Sequence, residues 1–187
     1  MKRKISTAIA AGCAVVCKPA NATPLSALAL VILAERAGFP PGLINIVTGN
    51  TNEIGAEMTS NSLVRKLTFT GSTPVGKKLI TDCAQTVKRT SMELGGNAPF
   101  IIFDDADLDS AIEGIVDAIW FNQGQVCCAG SRLLLQETIS TKVEKKILSR
   151  MNKLRFGNPL DKSIDMGPLV SLEQLNRVKK LVEDGVE

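Results

Sequence analysis

The 187 residues suffice for one ordinary domain or parts of two, and 44% apolar with 22% charged residues is the balance of a soluble globular chain with a core. A net charge of +3, spread with no basic stripe interleaved with aromatics, gives nucleic-acid binding no footing. The chain has no histidine, which excludes Ser-His-Asp and Cys-His catalysis within it, and without a Cys-x-x-Cys pair no metal site is expected.

Met1-Lys2-Arg3-Lys4 followed by the apolar run Ile5 to Cys17 imitates a secretory signal. Ser6, Thr7 and Ala10 weaken that run, and it is too short to span a bilayer. The reading that fits better is an amphipathic helix to Ala11, a stop at Gly12 and a buried strand from Ala14 to Lys18. Thr23-Pro24 then opens a helix, with Thr as N-cap and Pro at the first helical position. Leu25, Leu28, Ala29, Ile32 and Leu33 keep its apolar stripe until Gly38. Leu43 to Val47 reads as a short buried strand, and a second helix runs from about Glu53 to Thr59. Lys66 to Thr70 is the next strand, and Gly71-Ser72-Thr73 turns into a helix through roughly Cys83. This alternation predicts an α/β class with an open parallel sheet covered by helices.

Arg89 to Leu94 leads into Gly95-Gly96, a natural hinge, and Pro99 to Phe103 is an apolar strand. Asp104, Asp105 and Asp107 lie where a helix macrodipole favours carboxylates, and that helix would turn Leu108, Ile112, Ile115, Val116 and Ile119 inward. Leu133 to Leu135 is a strand, followed by amphipathic helices over Thr138 to Leu154 and Ser171 to Asp184. The five cysteines, Cys13, Cys17, Cys83, Cys127 and Cys128, are odd in number and two are adjacent, a poor disulfide framework that points to a reducing compartment.

Three segments carry chemistry. Phe121-Asn122-Gln123-Gly124-Gln125-Val126-Cys127-Cys128 places a thiol in a polar turn, an improbable home for a packing cysteine. Met92-Glu93-Leu94-Gly95-Gly96 sets a carboxylate beside two glycines, where backbone approaches closely; a plain surface carboxylate is the competing reading. Gly71-Ser72-Thr73-Pro74-Val75-Gly76 follows a strand and opens a helix, the context in which a pyrophosphate binds. A nucleophilic thiol and a water-activating carboxylate together suffice for covalent oxidation or hydrolysis of an aldehyde or ester.

In order and spacing these segments resemble the aldehyde dehydrogenase superfamily, along essentially the whole chain, although 187 residues is well under half of that family's usual length. The resemblance implies a partial aldehyde dehydrogenase fold: residues 1–93 the later part of a Rossmann-like dinucleotide-binding domain, 94–187 the first part of an α/β catalytic domain. It makes Cys127 the nucleophile and Glu93 the general base. Lys18, Asn21, Gly71, Ser72 and Leu94 become the cofactor contacts, with Lys18 toward the adenosine ribose and Ser72 toward a phosphate. The cofactor is NAD or NADP: Asn21 stands where many NAD-specific members carry a glutamate, and a neutral amide does not repel a 2′-phosphate.

The first half is most similar to succinate-semialdehyde dehydrogenases, and the chain from the cysteine loop onward to aldehyde dehydrogenase family 16. The succinate-semialdehyde branch places an arginine for the substrate carboxylate six residues before the nucleophile, where this chain has Phe121. The Trp120-Phe121 pair suggests an apolar aldehyde instead. The implied activity is NAD(P)-dependent oxidation of an aldehyde to an acid through a Cys127 thioester. Succinate-semialdehyde oxidation is the alternative, and an inactive fragment or scaffold the reading of another class. The resemblance further implies a small aldehyde substrate, no nucleic acid or membrane partner, and a parent enzyme that is a homodimer or homotetramer of cytosol or mitochondrial matrix, not secreted. The family's oxyanion-donating asparagine would precede Met1 and its second ribose-contacting glutamate would follow residue 187. The chain alone is therefore expected not to turn over aldehydes.

Overall fold

A computed structural model describes residues 2–186. They form two compact units, divided between Leu94 and Gly95. The first unit runs α1 (Lys2–Ala10), β1 (Val15–Cys17), α2 (Leu25–Arg36), β2 (Ile44–Ile46), α3 (Thr51–Ser60), β3 (Lys66–Gly71), α4 (Thr73–Ala84) and β4 (Arg89–Leu94). The second contains β5 (Ala98–Ile102), α5 (Leu108–Trp120), β6 (Gly130–Leu135), α6 (Ser140–Met151) and α7 (Leu172–Asp184).

The class is α/β, and the described strands pair in parallel as β1·β2, β3·β4 and β5·β6. They form three two-stranded sheets rather than one continuous sheet. Each pair brackets one helix, so every crossover is a βαβ unit.

Local chemistry sets the element ends. Gly12 stops α1 in the left-handed region at φ 75°, a conformation that costs an L side chain. Asn50 caps α3: its side-chain oxygen accepts from Asn52 N at 2.9 Å and Glu53 N at 3.4 Å, while its amide donates to Glu53 Oε1 at 2.8 Å. Pro24 rather than Thr23 holds the cap position of α2, with no side-chain cap bond. Lys88 fastens the start of β4 by donating to the carbonyls of Asn61 at 2.8 Å and Val64 at 2.6 Å.

The two units are packed differently. In the second, Ile102, Ile112, Ile115, Ile139 and Val143 form a buried cluster, with Leu108 and Ile119 packed against it, as the α5 pattern predicts. In the first, among the described residues, only Ala27, Leu67, Cys83 and Thr59 are buried apart from helical Gly76. The α2 stripe expected to face a core is largely open: Leu25, Leu28, Ile32 and Leu33 are all exposed. Helical periodicity reports a face that wants cover, and among the described residues that cover is missing.

Candidate active site

The C-terminal ends of β1 and β2 open on a cavity of ≈ 250 Å³ lined by Pro19, Ala20, Asn21, Pro24, Thr48 and Gly49. Lys18, half-buried at the end of β1, donates through Nζ to Asn21 Oδ1 at 2.7 Å and to the Pro19 carbonyl at 3.0 Å. Asn21 Nδ2 donates in turn to Thr51 Oγ1 at 3.0 Å, so the amide is used at both ends and its orientation is set. Crevices at the carboxyl ends of parallel strands are where open α/β proteins bind ligands.

Gly71 ends β3 and Ser72 caps the backbone of α4 with its hydroxyl free of any cap bond. A Cβ on Gly71 would meet the Phe69 ring at 2.4 Å, and one on Gly76 would meet Leu94 Cδ2 at 2.7 Å. The glycine spacing thus lets α4 settle against β4, and the parallel register sets Gly71 beside Leu94 and Thr70 beside Glu93. Gly71, Ser72, Glu93 and Leu94 are brought together at one end of the β3·β4 pair.

Glu93 is about half exposed and forms an ion pair with Arg3 at 3.5 Å. Beside it lies a group that the sequence did not flag. Lys4 Nζ is buried with no hydrogen-bond partner among the described residues. Burial lowers the Lys4 pKa, and the charge of Glu93 partly opposes that shift. Periodicity places Lys4 on α1 without saying which way its amine points, so no sequence signal marks it.

Cys127 belongs to the second unit. The α5 helix ends at Trp120, and Phe121–Gly124 form a 3₁₀ turn in which Asn122 (φ 52°), Gln123 (φ 57°) and Gly124 (φ 73°) are all left-handed. Two consecutive non-glycine residues in that region store backbone strain. The turn is held by Asn122 Nδ2 donating to the Gln125 carbonyl at 3.1 Å and by Gln125 N donating to the Asn122 carbonyl at 3.1 Å. Ala129 N then closes a second turn onto the Val126 carbonyl at 3.0 Å, with Cys127 and Cys128 at its two central positions, both exposed. Ser131 Oγ at the start of β6 bonds Asn97 Oδ1 at 3.1 Å, tying this loop to the entry of β5. From Phe121 to Ser131 no side chain is charged, and Phe121 is 70% exposed. Arg132 sits exposed on β6 opposite Pro99. Cys17 and Cys83, by contrast, lie inside the first unit, where burial pushes both thiols up.

The model of the Aldehyde dehydrogenase family matches residues 1–187, and the chain belongs to that family. It is 49% identical over 185 residues to a 3-sulfolactaldehyde dehydrogenase of Pseudomonas putida, covering 99% of this chain and 38% of that protein. It is 48% identical over 185 residues to a succinate-semialdehyde dehydrogenase (NADP+) of Escherichia coli K12, again covering 99% and 38%. Among solved structures, an NADP-dependent enzyme of Escherichia coli superposes with a TM-score of 0.95 at 48% identity, over 98% of this chain and 38% of that one. A betaine aldehyde dehydrogenase of Staphylococcus aureus in complex with NAD+ superposes with a TM-score of 0.90 at 39% identity, over 96% and 36%. The chain therefore spans somewhat over a third of the length of these relatives.

Among the described residues no helix is long and apolar enough to cross a membrane, and no cluster of His, Cys, Asp and Glu could hold a metal ion.

Proposed function

We propose that the protein carrying this chain oxidises an aldehyde to a carboxylic acid with NAD or NADP as acceptor, Cys127 being the nucleophile and Glu93 the general base. The observation that carries this reading is the exposed Cys127 thiol on a strained, uncharged turn. A dinucleotide is supported by the residues present: the cavity beside Lys18 and Asn21 suits an adenosine, and the free Ser72 hydroxyl after Gly71 suits a phosphate. When bound, it supplies the hydride acceptor.

The chain's own groups do the rest. The Cys127 thiolate adds to the aldehyde carbon, forming a C–S bond and leaving the oxygen as the alkoxide of a thiohemiacetal. Loss of hydride from that carbon leaves a thioester on Cys127. Glu93 takes a proton from water, the hydroxide adds to the thioester carbon, and the C–S bond breaks to release the acid and the thiolate. Sulfur serves because it is both a strong nucleophile and a good leaving group from the acyl stage. The uncharged loop and exposed Phe121 favour an apolar aldehyde. The names of the relatives favour succinate or glutarate semialdehyde as the second reading. A reducing compartment, cytosol or mitochondrial matrix, suits five free thiols.

Mass-spectrometric mapping of iodoacetamide labelling tests the reading. Cys127 should react fastest, more slowly with NAD(P) bound, and Cys17 and Cys83 last. Cys127→Ala should abolish thioester formation and lower kcat by about 10⁴-fold or more, whereas Cys128→Ser should retain activity. Equal labelling of Cys13, Cys127 and Cys128 with no nucleotide effect would favour the scaffold reading. The ratio of kcat/KM for hexanal over succinate semialdehyde decides between the two substrate classes.

A further inference from the structure

We infer that the loop of residues 155–167 braces the cysteine turn, with Gly167 and the Arg155–Asp165 pair as positioning residues for Cys127. The inference rests on the reading of Cys127 as nucleophile and deepens it. Its starting point is strain. Asn122 and Gln123 are both left-handed, and such backbone persists only where its surroundings over-determine it. The hydrogen bonds that close the turn join Asn122 to Gln125 and pass Gln123 by. Gln123 is nevertheless half-buried, whereas Phe121, Asn122, Gly124 and Gln125 are exposed, so its cover comes from elsewhere in the chain. That cover includes Gly167. A Cβ on Gly167 would lie 3.7 Å from Gln123 Nε2 and 3.2 Å from Pro159 Cβ, so the glycine faces both the turn and the proline. Its backbone is not left-handed, so what calls for glycine here is space rather than conformation.

Gly167 follows directly on a loop that is closed on itself. Arg155 N and Nε donate to Asp165 Oδ2 at 3.0 and 3.1 Å, and Nη2 donates to Oδ1 at 3.2 Å. The Asp165 and Met166 amides donate back to the Arg155 carbonyl at 3.0 and 3.1 Å. Two-pronged pairing of a guanidinium with a carboxylate fixes direction as well as distance. Gly157 N donates to the Met166 carbonyl at 3.2 Å, and Ile164 packs over Gly157, its Cδ1 3.0 Å from a notional Cβ. The residues just before Gly167 are thus fixed through both backbone and side chain. Arg155 and Asp165 are both exposed, and an exposed ion pair adds little to global stability. Its effect is therefore expected in where Gly167 sits rather than in whether the chain folds.

The test uses the whole protein that carries this chain and reads the rate of Cys127 alkylation by iodoacetamide against that of exposed Cys13 in the same sample. Gly167→Ala, which crowds Gln123, and Asp165→Asn, which opens the clasp, should each lower the Cys127 rate about tenfold. Both should lower kcat comparably and leave KM for NAD(P) within a few-fold. Gln123→Ala combined with Gly167→Ala should depart from additivity in the Cys127 rate by about fivefold or more. In Asp165→Asn, amide hydrogen exchange across residues 121–129 should quicken while that across α5 stays as in the wild type, a separation that general destabilisation would not produce. Wild-type Cys127 rates in the folded single variants, with an additive double variant, would overturn the brace. So would exchange that quickens equally in the turn and in α5. Non-additivity in a protein whose Cys127 labels no faster than Cys13, with or without NAD(P), would keep the brace and overturn the nucleophile reading.

Discussion

Single residues in the cysteine turn carry a conformational cost that their neighbours must offset. Asn122 is tolerant of the left-handed region, but Gln123 at φ 57° is not, at roughly 1–2 kcal/mol for an ordinary L residue. Gln123→Gly is therefore expected to hold or raise thermal stability, and Gln123→Val, branched at Cβ, to lower it by more than about 1 kcal/mol. Differential scanning calorimetry of the two variants measures this directly, and a Val variant as stable as the wild type would show the turn to be relaxed. The sequence announces this turn by its Asn-Gln-Gly-Gln composition but not its handedness; at Gly124 a side chain would also crowd the Ile119 carbonyl, 3.2 Å from a notional Cβ. Lys4 is the other residue beyond reach of pattern reasoning. Its burial depends on side-chain direction, which i, i+4 spacing alone does not specify.

At the scale of elements, the helix starts are where local chemistry and sequence agree best. Asp107, within the acidic run read as a helix start, caps α5: Oδ1 accepts from Asp109 N at 3.0 Å and Ser110 N at 3.2 Å. Those two backbone bonds hold its carboxyl below the usual carboxylate range. A depressed folded-state pKa means the cap contributes stability above the unfolded pKa of about 3.9, and loses it as pH falls through the lower folded value. Asp107→Asn should therefore unfold more readily than the wild type at pH 7, and the gap should narrow below pH 4 as the wild type alone loses its advantage. A constant gap across that range would refute the assignment of the cap to the ionised carboxylate. Asp165, bound by both the backbone and the guanidinium of Arg155, is depressed for a related reason and stabilises the bridge between Phe156 and Met166 in the same pH window. The seven helices α1–α7 and five of the six strands were legible in the sequence to within a few residues, because their apolar periods and punctuating glycines are local signals, whereas Arg89 to Leu94 read only as a lead-in to Gly95-Gly96. The pairing of those strands into three separate sheets was not, since alternation of strand and helix is equally consistent with one continuous sheet.

For the molecule as a whole, area settles how well the two units are covered. The accessible surface is 13505 Å². A folded 20.0 kDa monomer would expose about 8,700 Å², and two separate domains of half that mass about 10,500 Å². Leu25, Leu63, Val87, Leu160 and Leu172 are all well exposed, and α7 buries none of its residues. A surface of that kind binds hydrophobic dyes and drives association. Core and surface positions should respond in opposite ways. Ile115→Ala, at a fully buried site, is expected to cost about 2–5 kcal/mol. Leu181→Gln on α7 should stay within about 0.5 kcal/mol while reducing anilinonaphthalene sulfonate fluorescence and aggregation. Equal destabilisation by the two changes in urea titrations would mean that α7 is packed in solution. The positions of Lys18, Asn21, Gly71 and Ser72 in the fold were readable because they lie at or just past the ends of strands that local pattern already located. The area excess was not, because a stripe of leucines looks the same whether or not something lies against it.

The βαβ construction has a kinetic consequence as well. Each parallel pair joins residues 23 to 33 positions apart, so no strand waits for a distant partner. Loop closure over such spans is entropically cheap, and contacts of low sequence separation form early. During synthesis each strand–helix–strand unit could close as soon as its second strand left the ribosome, in the order β1·β2, β3·β4, β5·β6. The thiol-bearing turn, lying between α5 and β6, would acquire its left-handed shape only with the last of these closures.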